Sequence, residues 1–96
     1  MQVTGKTVDN KFTVDNVFYL VGTHGIPLEV VLGYIKDNGF VVDWELYVLD
    51  AMKDGAKLRS IRGKVLAAIG EIYGPVYLKG FTIRFDEFFA FNWYAK

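Results

Sequence analysis

THGIPLEVVLGYIKDNGFVVD, residues 23–43, decides how the rest of the chain is read. Pro27 suits the first position of a helix, because its ring presets φ and its missing N–H would have no partner there. Leu28, Val31, Leu32 and Ile35 then fall at i, i+3, i+4 and i+7, one apolar stripe of a 3.6-residue period. Asn38-Gly39 tolerates the left-handed geometry that closes a helix, so the spacing predicts a helix over 27–37. After a short apolar link, Asp43 is placed to cap a further helix over 44–54, with Gly55 after it.

On the N-terminal side, residues 1–12 read as extended, with Asp9-Asn10 between two β-prone pieces. The hairpin signal is weak because no Gly follows Asn10. Thr13 is then expected to cap a first short helix whose stripe is Val14, Val17, Phe18 and Val21, closed by Gly22. On the C-terminal side, Ser60 is expected to cap a helix running to Tyr73, with Ile61, Val65, Ala68, Ile69 and Ile72 inward. Gly74-Pro75 ends it, since proline disfavours helical geometry in the residue before it. In the aromatic tail, 76–96, the alternation Phe81, Ile83, Phe85 predicts a strand at 76–84 and a short helix after it.

These readings add up to a mainly α domain of four to five short helices, with minor β structure at one or both ends. At 96 residues the chain is one domain: an extended segment 1–12, a helical core 13–73 and the tail 76–96. A hydrophobic content of 52% excludes a disordered chain. The absence of cysteine excludes disulfides, a thiol nucleophile and cysteine-ligated metals. The polar opening MQVTGKTVDNKF has no apolar h-region, so no secretory leader is expected, and a cytoplasmic location is. Apolar runs are too short and too charged to span a bilayer.

FYLVGTHGIPLEV (18–30), followed by Val42-Asp43, resembles a segment of alanyl-tRNA synthetases written roughly F-x-L-Y-D-T-Y-G-F-P-L-D-L and a later V-D-x-x-x-F. Phe18, Leu20, Thr23, Gly25, Pro27, Leu28 and Glu29 fit that pattern, and Tyr47 stands where the family carries phenylalanine. Val21 and Gly22 depart from it, where the family has tyrosine and aspartate. The resemblance covers 18–51 and implies a helical module of the kind that supports tRNA recognition. The family's ATP-binding and alanine-activating elements have no counterpart here.

No catalytic constellation emerges. His24 is the one side chain with an ordinary pKa near neutrality, yet nothing marks a nucleophile or orienting acid beside it. Asp37, Asp43, Glu45, Asp50 and Asp54 lack the alternating spacing of a calcium loop. Neither metal, cofactor, membrane contact nor small-molecule substrate is therefore expected.

Two surfaces remain. Phe85, Phe88, Phe89, Phe91, Trp93 and Tyr94 offer more aromatic surface than one short element buries, and such residues are enriched at protein interfaces. Gly63, Ala67 and Gly70 line one helix face that permits close approach. The expectation is a non-enzymatic protein-interaction module, an adaptor, inhibitor or assembly factor of phage or mobile-element type, bound to a protein partner or to a second copy of itself. The alternative is a tRNA- or DNA-binding accessory module using Lys57, Arg59, Arg62 and Lys64, although 11 basic residues are balanced by 11 acidic ones.

Overall fold

The computed structural model describes the backbone of residues 1–94 and the side chains of residues 1–89. The chain is mainly helical, with a small sheet built from its N-terminal half. Strands β1 (Gly5–Val8) and β2 (Lys11–Val14) form an antiparallel hairpin, and Val8 pairs with Lys11. Asp9 and Asn10 both take positive φ, 51° and 65°, as a two-residue primed turn demands. Asp and Asn reach that region without glycine's help, which is why the turn forms despite its weak signature. Gly5 is fixed by space, since an added Cβ would lie 1.9 Å from the Thr13 carbonyl oxygen across the hairpin.

Thr13 caps no helix. It is a strand residue, paired with Lys6 on one side and Val41 on the other. The first helical piece starts only after Asn16, whose side chain is held by Gln2 and Thr4, and it runs as one π-helical turn over Tyr19–Thr23. Val14 and Val17 are buried as expected, but Val14 from a strand end and Val17 from the start of the helical piece rather than from one helical stripe.

Helix α1 (Leu28–Asp37) follows Pro27, and all four stripe residues are buried. Its C-terminus is closed by Asn38, whose side chain donates to the Tyr34 carbonyl, and by Gly39 at φ 71°. The link predicted after it is strand β3 (Val41–Val42), which pairs parallel to β2 with Val14 opposite Val42. The unit is thus β–α–β, with α1 as the crossover and β3 at the sheet's edge. Asp43 then caps α2 (Trp44–Lys53), its carboxylate accepting from the Leu46 N–H at 3.1 Å.

Helix α3 (Leu58–Tyr73) begins two residues before the expected Ser60, with Lys57 at its cap position and no capping side chain. Gly74, at φ 90° and ψ 170°, breaks the chain direction in a region closed to L side chains. Pro75 then opens α4 (Pro75–Tyr94). No strand exists at 76–84: Phe81, Phe85 and Phe89 recur every fourth residue and turn inward together, while Ile83 points to solvent. The Thr82 hydroxyl, which the strand reading placed opposite the phenylalanines, donates to the Leu78 carbonyl one turn back.

The core lies between α1, α3 and the sheet. Leu32, Ile35, Ile69, Val14, Val48 and Val65 are among its fully buried side chains, and no charged or polar side chain is buried with them among the described residues. Burying each such aliphatic side chain stabilises the fold by about 1.5–3 kcal/mol. No described helix is long and apolar enough to cross a membrane.

Candidate functional site

Helix α4 packs backbone to backbone against α3 alone among the described elements. It reaches the rest of the molecule through side chains, chiefly Phe81, whose ring meets Trp44 edge-on at 5.5 Å. Trp44 in turn stands against Tyr47 at 5.5 Å. This prop holds α4 away from the sheet and leaves a cleft between α4 and the edge strand β3.

The cleft has two connected halves, of about 470 and 420 Å³, which share Val41, Val42, Trp44, Phe81 and Arg84. The first half is walled by Phe81, Phe85 and Phe89 on α4 and by Thr13 and Val41 on the sheet. The second half runs past Phe40 to Tyr73 and Tyr77, with Lys11, Lys36 and Arg84 around it. Tyr73 and Tyr77 stack at 4.5 Å. The Lys36 ammonium donates to the Ile72 carbonyl at 3.1 Å and lies 5.7 Å from the Tyr73 ring centroid. A cation near the last carbonyls of α3 also answers the negative end of that helix. Burial pushes the Tyr73 hydroxyl above its ordinary pKa, with Tyr77 adding to the shift.

Along this cleft β3 presents an unpaired side. Its parallel register with β2 and the Asp43 N–H donating to the Val14 carbonyl set the ladder, so the N–H and C=O of Val42 point away from β2. An edge strand beside an apolar cleft is the geometry on which an extended chain can be laid down.

Of the aromatic residues expected to bind a partner, Phe85 and Phe89 are buried in the cleft wall and Phe88 lies at its rim. Phe91, Trp93 and Tyr94 lie outside the described side chains. On the glycine face of α3, Gly70 does meet a close neighbour: an added Cβ would come within 3.0 Å of Leu78 of α4. Gly63 faces open space and Ala67 is exposed.

The basic segment does not act as a block. Arg62 makes a two-pronged ion pair with Asp86 of α4, at 2.7 and 2.9 Å, while Lys57, Arg59 and Lys64 are exposed. The bond from Arg62 holds the Asp86 carboxyl below the usual carboxylate range, and the Arg62 guanidinium is raised by the same contact. His24 sits across the molecule, exposed, with its ring edge-on to Tyr19 at 4.8 Å. Among the described residues no group of His, Asp and Glu could hold a metal ion.

Sequence reasoning missed Lys11, Lys36, Val41, Val42, Trp44, Phe81 and Arg84 as residues of one site. The helical period of Phe81, Phe85 and Phe89 was a usable signal for the wall. Nothing local announced that Lys11 and Lys36 would line one opening with Arg84, because the β–α–β crossover and the packing of α4 on α3 place them there. No protein-family model, curated protein or solved structure matches this chain.

Proposed function

We propose that this chain is a non-enzymatic protein-interaction module whose contact surface is the cleft between α4 and β3. One observation carries the reading: an aromatic-walled cleft of about 470 Å³ runs beside a strand edge whose Val42 backbone faces outward. Aromatic walls supply desolvated contact area, and the strand edge supplies direction and register. An adaptor, an inhibitor and an assembly factor all need such a surface, and the geometry ranks none above the others.

The nucleic-acid reading of Lys57, Arg59, Arg62 and Lys64 ranks second, because Asp86 of the same chain already engages Arg62. A tRNA-binding role suggested by the synthetase resemblance stands with it.

The test is an unbiased peptide-display selection on the full chain, repeated on Val41→Trp. Val41 is 38% exposed, so the indole fills the cleft without entering the core. The reading expects enriched peptides that bind wild type and lose at least about tenfold on the variant, roughly 1.4 kcal/mol. Peptides that bind both equally, or no enrichment from repeated selections, refute it.

A further inference from the structure

The two halves of the cleft differ in charge. Where Asp43 and Glu45 border the first half, the described residues lining the second include Lys11, Lys36 and Arg84 and no carboxylate at all. Of the two acids of the first half, Asp43 is moreover engaged, since it caps α2. The described side chains show one ion pair, Arg62 with Asp86, and it lies outside the cleft. Lys36 spends one proton on the Ile72 carbonyl, and an ammonium carries three. The Arg84 guanidinium folds back over Gly80, within 3.3 Å of where a Cβ would stand, so the missing side chain there gives it room at the cleft mouth.

We infer that the occupant of this cleft is an extended segment of a partner protein, carrying carboxylates at one end and aliphatic side chains at the other. The inference rests on the protein-interaction reading above and adds the chemistry of the partner. The segment lies along β3 and pairs its backbone with the N–H and C=O of Val42. Its aliphatic side chains enter the half walled by Phe81, Phe85 and Phe89. Its carboxylates meet Lys11, Lys36 and Arg84 over a floor of Phe40 and Tyr73. A nucleic acid would use the cations and the rings, but it has no counterpart for the outward Val42 backbone or for the aliphatic half. The two blocks follow from the cleft itself: Lys11 in one half and Thr13 in the other are two apart on β2, so both halves open on one face of the sheet and succeed each other along the strand.

Three peptide pools test this, each an equal mixture of Xaa-Xaa-Xaa-Leu-Leu-Leu and the reverse order with blocked ends, where Xaa is Asp/Glu, Asn/Gln or Lys/Arg. Oligo(dT) and inorganic phosphate serve as further arms. Binding is read on the ¹⁵N-labelled full chain from amide shifts at Val42 and from the quenching of Trp fluorescence. The acidic pool is expected to bind at least about tenfold more tightly than the neutral pool, about 1.4 kcal/mol, and to weaken as salt is raised. Lys11→Glu combined with Arg84→Glu should invert the preference toward the Lys/Arg pool while leaving the far-UV spectrum unchanged. Equal binding of the acidic and neutral pools overturns the inference and leaves the protein-interaction reading standing. So does indifference of the acidic pool to the charge reversal. Oligo(dT) or phosphate binding at Lys11 and Arg84 with no peptide bound overturns it in favour of a polyanion site. No binding from any arm also overturns it, and the display selection with Val41→Trp then decides separately whether the cleft is a protein-binding surface.

Discussion

Replacing Phe81 by alanine should loosen the side-chain link between α4 and Trp44 at the start of α2 and destabilise the fold. Phe81 is 7% exposed and contacts rings on three sides: Trp44 at 5.5 Å, Phe85 at 5.8 Å and Tyr77 at 6.3 Å. Truncating a buried phenylalanine costs about 3–5 kcal/mol through lost transfer energy and the cavity left behind. Each aromatic pair adds about 0.5–1.5 kcal/mol beyond area, and is already part of that total. A domain of this size is stable by only about 5–15 kcal/mol, so the variant loses a large part of its margin. The corresponding fall in melting temperature is roughly 4–8 °C per kcal/mol, hence at least about 12 °C. Urea unfolding followed by far-UV circular dichroism and by Trp fluorescence measures the free-energy loss, and a thermal scan measures the fall in melting temperature. Ile83→Ala, on the same helix but 53% exposed, is the control and should change stability by less than about 0.5 kcal/mol. A loss below about 1 kcal/mol in the Phe81 variant would refute the claim that this ring anchors α4 on Trp44. So would equal losses in the two variants.

Asp43→Ala removes the cap of α2 and should cost about 0.5–2 kcal/mol in urea unfolding, while Asp43→Asn should cost much less. Gly5→Ala drives a Cβ into the Thr13 carbonyl and should displace β1. The readout is loss of amide protection at the hairpin pairs, such as Lys6 with Thr13, while α3 stays protected. The Arg62–Asp86 pair is surface-exposed at 44% and 45%, so a double-mutant cycle should give a coupling below about 1 kcal/mol that shrinks with salt. Because Asp86 titrates lower in the folded chain than in the unfolded one, its contribution is present above the ordinary carboxylate range and lost as pH falls below it. Stability measured from pH 7 downward should therefore fall less steeply in Asp86→Asn than in wild type.

Local chemistry alone determined α1, α2, the end of α3 and the mainly helical class. Pro27 with the Leu28–Ile35 stripe, Asp43 before Trp44, and Gly74-Pro75 each act within one turn of chain, so their consequences are legible without a partner. Tertiary structure decided the rest. Lys11–Val14 became a strand because β1 and β3 both pair with it, and Val41–Val42 became its parallel neighbour because α1 is long enough to carry the chain back. The residues 76–84 suit strand and helix alike. α3 settles the choice, since a strand would turn Ile83 inward with Phe81 and Phe85, whereas a helix buries the two phenylalanines and leaves Ile83 outside. The cleft is a product of those same long-range contacts. Its cations stand 25 and 48 residues apart in sequence, at positions 11, 36 and 84, and packing rather than spacing brings them to one opening.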